Sequence, residues 1–372
     1  MFFLQYLLAE ILHYWQLRKR YNHFNDLRIE SNIPVEEQEK VVNAIICKNP
    51  TLFERSVKYE HTRHITNKTQ LYDMVINVEQ TKPSNKLYIG CSQIYWRYHP
   101  FIFELFMKFT RQIGNMWMYC NGFKRKWYLT NDGYYSVFVY NANNDKRPIV
   151  FFPGLGLGAI PYARIAKLLN RTVYMIEVPN LSYATPLSLR HATGETLYNV
   201  VTDCIEKNID YDIVCHSMGS VHAAMILNQS FEKNELHLIK NAVICDGFVN
   251  PIDVITSHIY PFVDYCDWNT ICKRPKSKAE FIAFLYFACH NLEMNSWAKR
   301  YHNFYNEILW RDYGKTCIKY IYGSKDILYD TEYIASQMDS KECHLIQNGS
   351  HGSCFFGRNR NQTIEIIKNW IE

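Results

Sequence analysis

The sequence predicts an α/β architecture, a mostly parallel sheet with helices packed on both of its faces. Two observations carry that expectation. From about residue 125 onward, short strand-like runs alternate with longer segments of helical period. The central runs, IVFF at 149–152 and YDIVC at 211–215 among them, are apolar nearly throughout, as strands buried on both faces are.

The elements follow in order. Residues 1–17 (MFFLQYLLAEILHYWQL) are apolar apart from Gln5, Glu10, His13 and Gln16, and they run into Arg18, Lys19 and Arg20. At helical period Gln5, His13 and Gln16 gather on one side and leave a wide apolar face with Tyr14 and Trp15 at its basic end. That is the pattern of a membrane-interfacial helix over 1–20, and equally of a helix packed on the rest of the protein. The segment falls short of the roughly 20 apolar residues that a spanning helix needs. Residues 35–47 read as a helix behind Pro34. Residues 101–118, behind Pro100, are a second candidate for membrane contact, although their periodicity is that of a core helix, the commoner case.

Residues 127–130 and 135–140 flank Asn131-Asp132-Gly133 and read as a hairpin. Strand 148–152, helix 160–169, strand 172–178, helix 187–207, strand 211–215 and helix 220–229 then alternate. Strands 241–245, 317–322 and 344–347 and a closing helix at 361–371 complete the pattern. The chain therefore divides into a helical N-terminal region (1–124) and an α/β domain (125–372).

The 372 residues, 48% hydrophobic and 21% charged, suffice for a full core and do not fit disordered, collagen-like or small disulfide-scaffold classes. An aromatic content of 15% exceeds what a core needs and suits apolar ligand walls or an interface. The twelve cysteines include no C-x-x-C pair and no cluster at metal-ligand spacing, so free buried thiols are expected, with no metal and no organic cofactor. The apolar N-terminus lacks a basic n-region and a small-x-small cleavage site. An intracellular location follows as the expectation, at a membrane or in the cytosol. Sequons at Asn67, Asn180 and Asn348 are of the kind an Asn-rich chain produces by chance.

The net charge of +5 is unevenly placed: residues 1–127 hold 18 Lys and Arg against 11 Asp and Glu, and the remainder holds 23 against 25. Such a basic half suits an anionic surface. Nucleic acid is disfavoured as partner, because the basic residues are scattered and no recognised module occurs.

The most informative stretch is Val214-Cys215-His216-Ser217-Met218-Gly219, where a Ser stands at a strand-to-helix turn with small residues two places on either side. A turn that sharp crowds those flanking positions, which explains Gly219, and Cys215 is small enough to be tolerated where Gly is usual. A Ser in this place is otherwise an ordinary helix cap. Phe151-Phe152-Pro153-Gly154-Leu155-Gly156 follows an earlier strand, Tyr322-Gly323-Ser324-Lys325-Asp326 a later one, and Gly349-Ser350-His351-Gly352 the last.

With these four motifs in this order, residues 125–372 resemble the α/β-hydrolase superfamily of serine esterases and lipases. The resemblance does not reach the N-terminal third. It implies Ser217 as nucleophile, His351 as base and Asp326 as acid, with Asp246 after its own strand as the alternative acid and Asp330 a weaker third. His216 is a poor rival for the base, since neighbours on a tight turn point apart. The oxyanion donors implied are the backbone N–H groups of Leu155 and Met218. Pro153 stands where the family often carries His. The long insertion at about 247–315, with helical patches at 278–289 and 297–310, resembles the family's cap, in which Phe281, Phe284, Leu285, Tyr286 and Phe287 would line an acyl pocket.

The expected function is hydrolysis of a carboxylic ester, lipid-like or fatty-acyl, through an acyl-enzyme on Ser217. An acyltransferase or thioesterase using the same Ser is the alternative within enzymes. An inactive hydrolase fold serving as a membrane-bound interaction protein is the alternative outside them.

Overall fold

Alternate residues of the central strands enter two different cores, one on each face of a single sheet. The computed structural model describes residues 2–26, 30–32, 86–88, 100–141, 145–156, 158–179, 192–205, 209–247, 309, 313–314, 316–326, 331–336 and 338–372. The expected helix at 35–47, the cap-like insertion between 248 and 308 with its five acyl-pocket candidates, and Asp330 lie outside the described residues.

The sheet has eight strands: β1 (Lys124–Thr130), β2 (Gly133–Tyr140), β3 (Ile149–Phe152), β4 (Val173–Glu177), β5 (Tyr211–His216), β6 (Ile239–Cys245), β7 (Cys317–Gly323) and β8 (Cys343–Ile346). Their spatial order is 1-2-4-3-5-6-7-8. β1 and β2 form the antiparallel hairpin expected around Asp132-Gly133, β2 joins β4 antiparallel, and the strands from β4 to β8 run parallel. Helices α3 (Ala163–Leu169), α4 (Gly194–Cys204), α5 (Gly219–Glu232), α6 (Thr331–Ser336), α7 (Ser353–Phe356) and α8 (Arg360–Ile371) fill the crossovers and the C-terminus. This is the α/β-hydrolase fold.

Val150, Phe152, Ile213 and Cys215 pack with α4 and α5 on one face; Ile149, Phe151, Val214 and Val243 pack with α3 and α8 on the other. Burial of each such side chain contributes about 1.5–3 kcal/mol before the entropy of ordering is counted. The strand order reverses at β3, which has β4 on one side and β5 on the other. A crevice therefore opens at the C-terminal ends of these two strands, where ligands bind in open α/β sheets.

Two long helices precede the sheet: α1 (Phe2–Asp26) and α2 (Phe101–Cys120). A short antiparallel ribbon pairs Glu30–Asn32 with Lys86–Tyr88. Helix α2 packs directly on the sheet. Met118 lies in the same core cluster as Phe138 and Val173, and an added Cβ on Gly114 would lie 2.2 Å from Ile160. The change of pattern near residue 125 thus falls inside a continuous core.

The orientation of α2 departs from the core-helix expectation. Its buried face carries Met107, Arg111, Asn115 and Met118, whereas Ile102, Phe106, Phe109, Ile113, Met116 and Trp117 are exposed. The amphipathic stripe is real, but the apolar side faces outward. Arg111 can face inward because the sheet offers it a polar partner, the fully buried carboxylate of Glu177 at the end of β4, and Asn115 donates to Gln112 Oε1 of the same helix at 3.2 Å.

Among the described residues no helix is long and apolar enough to cross a membrane. Seven cysteines are described, all free, and Cys204, Cys215, Cys245 and Cys354 are buried as expected, whereas Cys120 is exposed.

Candidate active site

Ser217 sits between β5 and α5 with φ +51°, a left-handed conformation that costs a non-Gly residue on the order of 1–3 kcal/mol. The surroundings hold it there. Its N–H donates to the Cys245 carbonyl at 2.9 Å, and its carbonyl accepts from the Ser220 N–H at 3.0 Å and the Ser220 hydroxyl at 2.7 Å. The turn brings α5 so close to β3 that a Cβ on Gly219 would lie 2.2 Å from the Phe152 carbonyl oxygen. We expect Gly219→Ala to prevent folding or lower the melting temperature sharply, measurable by circular dichroism, since the obstacle is backbone rather than a flexible side chain. Two residues before Ser217 the crowding is absent: the Cys215 side chain turns into the core and its Sγ lies 3.7 Å from the Val243 carbonyl oxygen.

The loops after β7 and β8 bring the other two groups to the same place. His351 Nε2 lies 2.9 Å from Ser217 Oγ, and His351 Nδ1 lies 2.8 Å from Asp326 Oδ2. A carboxylate at Nδ1 selects the tautomer with the proton on that nitrogen, leaving Nε2 to accept from the Ser hydroxyl.

The two loops are bound to one another through their backbones. Lys325 N–H donates to Gly349 O at 2.7 Å, Ser324 N–H to Ile346 O at 3.0 Å, and Asn348 N–H to Ser324 Oγ at 2.9 Å. Gly323 and Gly349 make this approach possible, because a Cβ on Gly323 would stand 2.5 Å from Gly349 O.

Asp246, the alternative acid, also comes to the site but points elsewhere. Its Oδ1 accepts from Gly323 N–H at 2.9 Å, and its Oδ2 accepts from Gly352 N–H at 2.8 Å and from the Cys354 thiol at 3.0 Å. It therefore joins the Asp326 loop to the His351 loop. Burial and the neighbouring charge of Asp326 push its pKa up to about 6.

Burial acts to lower the His351 pKa, but the charge and hydrogen bond of Asp326 and the charge of Asp246 outweigh it, so the value is raised from 6.5. Burial, followed by the charge of His351, holds the His216 pKa well below the usual imidazole value. The 3.9 Å separation between His216 Nε2 and Asp246 Oδ2 is accordingly not an ion pair.

Sequence reasoning left no role for Tyr162 and His216, and the structure places both under the loop after β3. Gly154 N–H donates to Tyr162 Oη at 3.1 Å, and Tyr162 Oη lies 2.7 Å from His216 Nδ1. With its lone pair engaged by Gly154, the phenol donates to His216. Gly154 is thereby fixed directly before Leu155. Met218, directly after Ser217, precedes the first turn of α5, and no side chain among the described residues caps that helix. Its N-terminus thus adds positive potential where an oxyanion would form.

Farther along the same loop, Ala159 N–H donates to Glu177 Oε1 at 2.7 Å. Glu177 is also bound by Arg111 of α2 and by Arg125 of β1, the latter at 3.4 Å. No sequence pattern indicated this network, since its members lie far apart in the chain.

A cavity of about 300 Å³ lined by Lys146, Arg147, Arg171 and Lys368 lies at the N-terminal ends of β3 and β4, remote from Ser217. Its guanidinium groups are held by Asp212, Arg171 at 2.8 Å and Arg147 at 3.3 Å. Two groups of potential metal ligands occur among the described residues: His216, Asp246 and Cys354, and Asp246, Asp326 and His351. In the second group His351 and Asp326 are hydrogen-bonded to each other, and in the first the Asp246 carboxylate is taken up by Gly352 N–H and the Cys354 thiol, while His216 Nε2 stands 3.9 Å from Asp246 Oδ2.

No protein-family model matches the chain, and no curated protein matches it. Among solved structures it is similar to a carboxylesterase of Bacillus subtilis, at 10% identity and TM-score 0.48, over 71% of this chain and 96% of that one. It is also similar to an esterase of Thermogutta terrifontis, at 11% identity and TM-score 0.47, over 67% and 98% of the two chains. A bacterial membrane phospholipase A gives 13% identity and TM-score 0.45, over 72% and 93%. Likeness at this level concerns the path of the chain alone.

Proposed function

We propose that the protein is a serine hydrolase that cleaves a carboxylic ester, lipid-like or fatty-acyl, through an acyl-enzyme on Ser217. The observation that carries this reading is the continuous hydrogen-bond chain from Ser217 Oγ through both nitrogens of His351 to Asp326. It sits at the C-terminal ends of the strands beside a helix N-terminus.

His351 Nε2 takes the hydroxyl proton as Ser217 Oγ attacks the ester carbonyl. Asp326 stabilises the imidazolium that results. The N–H groups of Met218 and Leu155 receive the negative charge on the carbonyl oxygen. Collapse breaks the bond to the alcohol, which leaves with the proton from His351. Water then attacks the acyl-Ser217 ester with His351 again as base, releasing the acid and restoring the hydroxyl.

Labelling with a fluorophosphonate tests the reading, because such a probe reacts only with an activated serine. We expect the wild-type chain to label and the Ser217→Ala and His351→Ala variants not to. An unlabelled wild-type protein, with detergent present, would overturn the reading in favour of an inactive hydrolase fold.

The pH profile tests the acid. Turnover requires neutral His351, so kcat/KM rises with pH, and the raised pKa places that rise above 6.5. Asp326→Asn removes the charge that raises it. We expect the rise to move to lower pH and kcat to fall by about 10⁴-fold. Asp246→Asn is expected to cost far less in kcat, because His351 keeps its partner.

A further inference from the structure

We propose that the outer face of α1 and α2 is a docking surface for an anionic lipid membrane, on which the protein lies without spanning the bilayer. The reason is the inverted amphipathicity of α2 and the exposure of the apolar residues of α1. In α2 the stripe Ile102, Phe106, Phe109, Ile113, Met116 and Trp117 is exposed, with Phe109 63% and Met116 66% accessible, while Arg111 and Asn115 face the protein.

Helix α1 adds further exposed apolar side chains. Leu4, Leu8, Ile11 and Trp15 are exposed, while Glu10 and His13 turn inward. There Glu10 accepts from Phe101 N–H at 3.0 Å and the His13 ring meets Phe101 at 5.7 Å. These contacts join the two stripes at the start of α2. Leu129 and Tyr134, directly opposite each other in the β1–β2 hairpin, are exposed as well, Leu129 at 71%.

An apolar face this large is not stable in water by choice of sequence: contiguous exposed patches beyond a few hundred Å² mark contact with an apolar medium or a partner. The surrounding charge selects the medium. Every exposed charged side chain among the described residues of α1, α2 and β1 is basic: Arg18, Lys19, Lys108, Lys124 and Lys126. Exposed apolar stripes that carry Arg18, Lys19 and Lys108 on the same helices, with Trp and Tyr among them, match an interface whose headgroups are anionic and whose interior is hydrocarbon. A second copy of this chain would bring the same cations against themselves.

The hydrolase reading is not needed for this inference, because binding is read without turnover. Flotation of the full chain with phosphatidylcholine vesicles, with and without phosphatidylserine, tests it. Wild type is expected to float with the anionic vesicles. Phe106→Glu with Phe109→Glu is expected to reduce the bound fraction by at least about tenfold, and Arg18→Glu with Lys19→Glu by about fivefold or more. Melting temperatures should remain unchanged, since all four positions are exposed.

Wild type that stays unbound, or a Phe106/Phe109 variant that floats as before, overturns the proposal. So does a wild-type dimer that the Phe106→Glu, Phe109→Glu variant converts to monomer without any vesicle binding, which would assign the face to a second copy. A variant that melts lower and never floats would assign it to another segment of this chain.

Discussion

Replacing Ser217 by Ala is expected to lower kcat for a 4-nitrophenyl ester by about 10⁶-fold, and His351→Ala to lower it about as much. The double variant should be no worse than either single one. In the proposed mechanism the two groups act as one unit: Ser217 is a weak nucleophile until His351 removes its proton, and His351 has nothing to activate once the hydroxyl is gone. Their 2.9 Å contact is the physical basis of this non-additivity. A residual rate above that in buffer is expected in all three variants. The N–H groups of Met218 and Leu155 remain and still stabilise the oxyanion when water attacks directly. Steady-state kinetics on the two single variants and the double variant checks this. Additive losses would mean that the two side chains work separately and would remove the acyl-enzyme mechanism.

Replacing Glu177 by Leu is expected to destabilise the protein by more than about 3–5 kcal/mol, the cost of leaving a buried charge without its partner. Two guanidinium groups depend on this carboxylate: the side chains of Arg111 and Arg125 are only 4% and 6% exposed. Urea unfolding measures the loss. The pairing of Arg111→Met with Glu177→Leu should recover part of it, because apolar groups of similar size can replace a buried ion pair at little cost. Glu177 also holds Ala159 N–H in the loop that continues from Leu155. Any Glu177 variant that still folds is therefore expected to lose kcat as well, by weakening the support of the oxyanion loop.

Much of the α/β part was legible because its strands are buried on both faces and so read as unbroken apolar runs. The expected runs 148–152, 172–178 and 211–215 match β3, β4 and β5 to within a residue or so at each end. The turn at Ser217 was legible for a steric reason. A sharp strand-to-helix turn demands a small residue two places after the Ser, and Gly219 supplies it against the Phe152 carbonyl.

The sequence alone thus determined the chain order of Ser217, Asp326 and His351, the strand ends that carry them, and the presence of amphipathic stripes in residues 1–20 and 101–118. It left Asp246 and Asp326 as rivals, because each follows a strand and nothing local to either states where its carboxylate points. Which carboxylate meets the imidazole is a matter of tertiary structure. Docking of Gly323 against Gly349 aims Asp326 at His351 Nδ1 and turns Asp246 toward two backbone N–H groups. The period of α2 revealed a stripe but not the medium it meets, since periodicity fixes the angle between side chains and not the direction of either face. That direction lies in the tertiary structure, where Arg111 meets Glu177, a buried carboxylate 66 residues away, Met118 enters the core and the stripe of Phe106 and Phe109 lies outside.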